Sequence, residues 1–165
     1  IRACSVPVIS AIHGFCLGGG IGIAGSSDIV IAADDAYFGL PEIDRGALGA
    51  ASHLARMFPL QHVRRMMFSA EPIDAEEAYR LGAIERVVMK DELMDTAISL
   101  AKKIADKSAI AVRLAKESLN AIEPHDVDAS YLLEQEYTLK LYESEDSSEA
   151  RKAFLEGREA RFKNK

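Results

Sequence analysis

Tryptophan is absent from this 165-residue chain, and cysteine and aromatic residues are scarce, with 2 Cys and 7% aromatic residues. Two isolated cysteines form neither a disulfide framework nor a zinc motif, so we expect Cys4 and Cys16 to be small buried apolar residues. The histidines lack the spacing of metal ligands, which predicts no metal site. They stand at positions His13, His53, His62 and His125.

Long apolar runs are also missing, and none approaches the ~18 residues that a membrane-spanning helix needs. The first residues do not form a secretory signal, so we predict a cytoplasmic protein without a membrane partner. Acidic residues outnumber basic ones, giving a net charge of -6 at pH 7. We therefore predict no nucleic-acid partner, which would require a basic surface. What remains is an ordinary globular composition, 48% hydrophobic and 28% charged, at a length that suits one domain.

The most informative stretch is HGFCLGGGIG at residues 13–22, which follows an apolar run at residues 6–12. We predict a buried strand for the run and a short helix of about two turns for residues 20–27. The N-terminus of a helix presents N–H groups without intrahelical partners, and glycine lets a ligand approach them closely. The stretch therefore predicts an anion-binding turn, and a tight turn without a ligand is the alternative.

The same glycines also fit the dinucleotide-binding pattern GxGxxG, through Gly20, Gly22 and Gly25. A dinucleotide-binding fold needs a full crossover helix before its next strand. Here the next β-branched run begins at about Asp28, which leaves too few residues for that helix. The spacing disfavours this alternative.

Apolar periodicity predicts a few strands followed by a largely helical remainder. The predicted strands lie at residues 28–33, 37–39 and 85–89, and the predicted helices at residues 50–58, 61–70, 74–82, 93–119, 126–143 and 147–160. Asp74 is the expected N-cap of its helix. This order predicts an α/β part that is followed by an α part.

The order of these motifs resembles the crotonase (enoyl-CoA hydratase/isomerase) superfamily almost from end to end. The segments that carry the resemblance are AIHG at 11–14, LGGG at 17–20, DIVIA at 28–32, FGLPEI at 38–43 and SSEARKAFLE at 147–156. The chain is similar to the last two thirds of a family member. The resemblance implies an α/β fold: a ββα superhelix, incomplete at its N-terminus, that carries the active site at residues 1–90, and a C-terminal helical trimerisation region at residues 91–165.

The resemblance also implies an acyl-CoA thioester substrate, of which coenzyme A is a part. It makes the backbone N–H of Gly19 one of two donors that hold the thioester oxygen as an enolate forms. The second donor would lie before residue 1. Leu17, Gly18 and Gly20 are the substrate-binding residues implied beside it, and no metal or redox cofactor is implied.

Glu42 is the second candidate group, because it follows the apolar approach Phe-Gly-Leu-Pro. From the residues alone, Glu42 is either an acid that favours the start of a helix or a proton-transferring group. The resemblance assigns proton transfer, since Glu42 matches one of the two catalytic glutamates of hydratases. In an apolar pocket its pKa would be raised. The other hydratase glutamate corresponds to Gly22, which argues against hydration by two cooperating carboxylates.

One carboxylate suffices to move a proton between carbons, as in enoyl-CoA isomerases, or to activate water against a β-keto carbon so that a C–C bond breaks. The residues after Glu42 are similar to crotonases of bacterial steroid degradation that open a ring by hydrolysis. There Asp44 is predicted to be catalytic, and Arg45 and His53 to bind an oxygenated acyl group. An ion pair of Asp44 with Arg45 or Arg56 is the alternative.

Phe154 matches a family residue that packs near the CoA adenine, and a core aromatic residue is the alternative. The family also implies a homotrimer or hexamer. The leading prediction is hydrolytic C–C ring opening of a cyclic keto-acyl-CoA. Enoyl-CoA isomerisation or hydration in fatty-acid oxidation is one alternative, and a non-catalytic binding module with the crotonase fold is another.

Overall fold

The protein is described by a computed structural model that covers residues 1–124 and 126–163, so His125 lies outside the described residues. Within those ranges the chain forms strands β1 (Ile9–Ile12), β2 (Phe15–Leu17), β3 (Ile29–Ala33), β4 (Tyr37–Gly39), β5 (Ile73–Asp74) and β6 (Arg86–Val88). Its helices are α1 (Gly19–Ser26), α2 (Ala51–Met57), α3 (Leu60–Ser69), α4 (Ala75–Arg80), α5 (Leu93–Ala105), α6 (Ala109–Ile122), α7 (Val127–Tyr142) and α8 (Glu145–Glu156). Short 3₁₀ helices span Pro41–Arg45 and Lys90–Glu92.

The strands form two small sheets of three strands each. In one sheet β3 lies between β1 and β6 and is parallel to both. In the other, β4 pairs with β2 in parallel and with β5 antiparallel. Gly14, at a φ of +60°, turns the chain from β1 into β2, and Asp35 accepts a hydrogen bond from its N–H at 3.1 Å. The glycine-rich stretch therefore contains a strand of the second sheet as well as the start of a helix.

The main core packs between the second sheet and helices α1 to α4, with Phe38, Leu54 and Met66 fully buried. A smaller core joins β3 to α5 through Ile31 and Leu93. Both faces of β3 are covered, which explains its continuous apolar sequence. The main core contains Cys16 of β2 and Ile21 of α1, so it fixes the two elements on either side of the glycine turn, residues 18–20.

The predicted strands and the short helix after the glycines are present, with ends that agree to within three residues and with β4 at its predicted bounds. Asp74 caps α4 as predicted, since its carboxylate accepts a hydrogen bond from the N–H of Glu77 at 2.8 Å. The prediction for the last helix was wrong at both ends. Helix α8 begins earlier because the hydroxyl of Ser144 accepts a hydrogen bond from the N–H of Ser147, and it ends at the left-handed Gly157.

The two cysteines differ. Cys4 is exposed, so the prediction that both are buried was wrong for this residue. Cys16 is buried in β2, and burial raises the pKa of its thiol to about 11. None of the helices in the described ranges has the combination of length and apolar character that crossing a bilayer requires.

Candidate active site

A cavity of about 670 Å³ opens beside the N-terminus of α1. Four parts of the chain line it: the glycine turn, the segment after β4, the start of α2 and one face of α7. Its lining includes Gly18, Gly19, Gly22, Glu42, Leu48, Gly49, His53, Tyr131, Glu134, Thr138 and Tyr142. The structure therefore brings the glycine turn, the acid and the histidine named above into one cavity.

The glycine turn presents unpaired backbone donors. Gly18 is the N-cap of α1, and the N–H of Gly22 donates the first bond of the helix ladder to the carbonyl of Gly18 at 3.1 Å. The N–H groups of Gly19 and Gly20 precede that bond and have no place in the ladder. Of these two residues, Gly19 lines the cavity. Its N–H is thus available to an anionic or carbonyl oxygen bound there.

The carboxyl group of Glu42 lies against the same turn. A Cβ atom at Gly18 would overlap Oε1 of Glu42, and the φ of Gly18 is +50°, so a side chain there is excluded on two counts. On the other side, a Cβ atom at Gly49 would lie 2.7 Å from Oε2 of Glu42. The carboxyl group is therefore held between two glycines, one of which begins α1.

Burial sets the acidity of this carboxyl group. Oε2 of Glu42 is buried and has no hydrogen-bond partner among the residues that the structure describes. Desolvation by burial is the main cause that raises the pKa of Glu42, and the negative charge of Glu134 acts in the same direction. The nearby Arg45 acts in the opposite direction without reversing the shift. The raised pKa predicted from the apolar approach is confirmed.

His53 enters the cavity from α2, where close helix packing places it. A Cβ atom at Gly25 would lie 2.8 Å from both C and Cβ of His53, so only glycine lets α1 and α2 approach this closely. The imidazole meets the ring of Tyr131 edge-on, with ring centroids 5.0 Å apart. Desolvation by burial lowers the pKa of His53, and the negative charges of Glu134 and Asp128 oppose that shift. The imidazole is thus favoured in its neutral form.

Glu134 belongs to the site but was missed by the sequence analysis. From α7 its carboxylate accepts hydrogen bonds from the N–H of Ala51 at 2.8 Å, and from the N–H and hydroxyl of Ser52 at 3.1 and 2.9 Å. It therefore caps the N-terminus of α2 from a distant helix. The sequence signal for such a residue was the start of α2. Its N-cap, Ala50, has no side-chain acceptor, so an acceptor from another part of the chain was to be expected there.

Several predicted site residues lie elsewhere. Asp44 and Arg45 are exposed and are not part of the cavity lining. Because a 3₁₀ helix has three residues per turn, Asp44 follows Glu42 by about two thirds of a turn and lies on a different face of the helix. The catalytic role predicted for Asp44 therefore has no support from its position. Nor is it in an ion pair with Arg45 or Arg56 among the described residues.

Phe154 is 56% exposed on α8, so it is not a core residue. The guanidinium carbon of Arg45 lies 4.5 Å from the centre of its ring, a cation–π contact that joins α8 to the 3₁₀ helix of Glu42.

Leu17 and Gly20 flank the turn without lining the cavity. In the described part of the chain no group of three His, Cys, Asp or Glu side chains is placed to hold a metal ion.

Gly22 lines the cavity, and a Cβ atom at this position would meet nothing within 4 Å. The space that a second hydratase glutamate would fill is therefore open. Position 22 therefore contributes no carboxylate to the cavity.

Residues 1–165 match the family model described as enoyl-CoA hydratase/isomerase. The chain belongs to the enoyl-CoA hydratase/isomerase family. The membership predicted from the sequence motifs is thereby confirmed.

Within this family the chain is 48% identical, over 153 residues, to a (7aS)-7a-methyl-1,5-dioxo-2,3,5,6,7,7a-hexahydro-1H-indene-carboxyl-CoA hydrolase of Rhodococcus jostii. That match covers 93% of this chain and 59% of the relative. A hydrolase of the same description from Mycobacterium tuberculosis is 46% identical over 155 residues, covering 94% of this chain and 63% of the relative. The chain thus spans about three fifths of the length of these curated relatives.

A solved structure of carnitinyl-CoA hydratase from Mycobacterium avium shares the fold with a TM-score of 0.88 and 29% sequence identity. The match covers 98% of this chain and 64% of that one. The predicted crotonase-type α/β fold is confirmed by this superposition and by the family model.

Proposed function

We propose that this protein opens the ring of a cyclic keto-acyl-CoA by hydrolysis, through a thioester enolate. The observation that carries the proposal is the carboxyl group of Glu42, half-buried between Gly18 and Gly49 beside the free N–H of Gly19, in a cavity whose position 22 bears no second carboxylate. The hydrolase descriptions of the two relatives above support it.

In the proposed reaction the carboxylate of Glu42 takes a proton from water, and the oxygen attacks the ring carbonyl that is β to the thioester. The bond between that carbon and the α-carbon then breaks. Its electron pair passes into the thioester carbonyl, whose oxygen receives a hydrogen bond from the N–H of Gly19 as it becomes negative. Glu42 returns the proton to the α-carbon, so water is consumed and a ring-opened carboxylic acid remains attached as the CoA thioester.

Further parts of the proposal follow from the resemblance. Coenzyme A is part of the substrate, and no separate cofactor takes part. The residues that contact this substrate are Leu17, Gly18, Gly20, Arg45, His53 and Phe154. The protein acts in the cytoplasm as a homotrimer or hexamer, without nucleic-acid or membrane partners. Its spiral core comprises residues 1–90, and its trimerisation region comprises residues 91–165. Exposed apolar side chains on α6 and α7, such as Leu119 and Leu132, support the assembly.

Incubation with a panel of CoA thioesters, followed by mass spectrometry, tests the reaction. A cyclic β-keto-acyl-CoA is expected to gain the mass of one water and to lose its ring. A mass change with an enoyl-CoA alone would indicate hydration, and double-bond migration without a mass change would indicate isomerisation, which the family description also covers. Binding of an RNA with no affinity for acyl-CoA would favour the non-catalytic alternative.

Glu42→Gln removes the proposed base and keeps the shape of the side chain. We expect kcat to fall by about 10² to 10⁴ on the cyclic substrate. Asp44→Asn is the matched change on the same 3₁₀ helix, and a comparable loss there would restore the catalytic role that its exposed position does not support. Near-normal turnover of the Glu42→Gln variant would overturn the proposed mechanism.

A further inference from the structure

One group in the cavity has no part in the reaction just described. Nδ1 of His53 is buried and has no hydrogen-bond partner in the described ranges. Leaving a buried polar atom unpaired is costly, so such an atom within a ligand cavity indicates a residue retained for another contact. No hydrogen bond to a described residue involves the other ring nitrogen, Nε2, which is left available to a molecule in the cavity.

The imidazole is held from two sides. Gly25 allows the backbone of His53 to pack against α1, where a Cβ atom would lie 2.8 Å from its carbonyl carbon. The carboxylate of Glu134 fixes the two preceding residues through their N–H groups, and the ring of Tyr131 lies edge-on to the imidazole. A side chain held in this way is preorganised to make a directional contact.

The tautomer follows from the surroundings. A neutral imidazole carries its proton on one nitrogen and accepts at the other. With the proton on Nδ1, a buried N–H would be left without an acceptor, which is rarer in proteins than the unpaired buried acceptor that Nδ1 becomes in the other tautomer. With the proton on Nε2, the available nitrogen is a donor, and the acceptor that suits it is a carbonyl oxygen of the substrate.

We propose that His53 is a specificity-determining residue, which donates a hydrogen bond from Nε2 to a second ketone oxygen on the acyl group, apart from the thioester and from the carbonyl that water attacks. This inference rests on the proposed function, and it assigns to His53 the recognition of a second ketone, which the 1,5-dioxo names of the two related hydrolases also carry. The adjoining wall from α7 bears Thr138 and Tyr142, whose hydroxyl groups also suit an oxygenated ring.

The test compares two cyclic β-keto-acyl-CoA substrates that differ only in the second ring ketone. We expect the wild type to favour the diketone, and His53→Leu to lower kcat/KM for it by about tenfold to a hundredfold, the cost of one lost hydrogen bond to a buried partner. For the monoketone, kcat/KM is expected to fall by a smaller factor, so the ratio of the two kcat/KM values drops by about tenfold or more. His53→Gln, whose amide nitrogen reaches the place of Nε2, is expected to recover most of the selectivity.

The outcomes separate the two proposals. Wild-type protein that opens neither ring would overturn the proposed function, and this inference with it. The role of His53 alone would be overturned if the wild type opens both rings and His53→Leu lowers the two rates equally. It would also be overturned if His53→Leu lowers neither rate. If His53→Leu does not fold, His53→Asn replaces it: the shorter amide does not reach the place of Nε2, and retained preference for the diketone would contradict the proposal.

Discussion

At Glu42 reactivity depends on what is missing around the side chain. Its carboxyl group lies between Gly18 and Gly49, and Oε2 accepts no hydrogen bond from a described residue. A carboxylate with several donors would be a weak base, because hydrogen bonding to the charged form lowers its pKa. The glycines therefore do more than form turns: they make room for a poorly solvated carboxylate beside a backbone donor.

The pH dependence follows from this environment. If Glu42 acts as a base, it must be ionised, so kcat/KM falls as the pH decreases through its pKa. Because burial raises that pKa, we expect the acid limb of the profile to lie above the ordinary value of 4.5. A pH–rate profile on the cyclic substrate measures it.

Glu134→Gln is expected to move this limb towards lower pH, since the charge of Glu134 contributes to the raised pKa. Glu136→Gln is the matched control, because it removes the same charge from an exposed position on α7. An acid limb at or below 4.5 in the wild type would contradict the assignment of Glu42 as the base.

Gly22 offers a test of how the number of carboxylates selects the reaction. Its position in the cavity lining is open, so Gly22→Glu places a second carboxylate there without a steric conflict for Cβ. We expect this variant to gain measurable hydration of an enoyl-CoA, detected as the mass of one added water, while Gly22→Gln does not. Equal activity of both variants would show that the second carboxylate is not what distinguishes the two reactions.

At the scale of elements, the position of His53 depends on how closely α2 approaches α1. Gly25 and Gly22 lie on the same helix and differ in their neighbours. A Cβ atom at Gly25 would meet the backbone of His53, whereas one at Gly22 would meet nothing. One glycine therefore serves packing, and the other leaves the cavity open.

We expect Gly25→Ala to lower the free energy of unfolding by about 1–3 kcal/mol through overpacking. Gly22→Ala is expected to raise it by about 0.5–1 kcal/mol, because alanine is the better helix former and its methyl group has room. Urea unfolding followed by circular dichroism measures both. Equal effects of the two substitutions would show that the α1–α2 contact is not tight at residue 25.

Elements with a clear apolar period were predictable from the sequence, as were the short strands β4 and β6, whereas β2 and β5 were not. Strands β2 and β5 have three and two residues, too few to show an alternation. The start of α2 was located to within one residue, but its cap was missed, since that cap is a side chain 83 residues away. The contribution of α7 to the cavity was missed for the same reason, because no local pattern reports which distant helix covers a turn.

For the whole molecule, the motifs were sufficient to predict the family and the fold, which the family model and a solved structure confirm. The exposure of Asp44 and Phe154 was not predictable, since it depends on how α8 packs on the 3₁₀ helix. The trimer or hexamer stays a prediction. Side-chain identity thus indicated the chemistry, and tertiary packing decided which side chains reach it.

A buried ion pair ties the helical part to the start of the chain. Lys116 on α6 is 5% exposed, and its ammonium group donates to Asp28 and to the carbonyl of Val6, both at 2.9 Å. Lys116→Met leaves the charge of Asp28 without its partner, and we expect a loss of about 3–5 kcal/mol in the free energy of unfolding. Lys102→Met, at an exposed position of α5, is expected to change it by less than about 0.5 kcal/mol.

Thermal or urea unfolding of both lysine variants measures the difference. Adding Asp28→Asn to Lys116→Met removes the unpaired charge and is expected to restore part of the stability. A Lys116→Met variant as stable as the wild type would show that this ion pair does not hold the two regions together.

The cavity is completed by α7, which the ribosome adds long after the glycine turn and Glu42 have emerged. A nascent chain that ends before α7 already has the backbone donor and the acid, but both face water there. Hydration returns such a carboxyl group towards its ordinary acidity. Unfinished chains are therefore expected to contain Gly19 and Glu42 but to lack activity, which appears only after α7 has been synthesised.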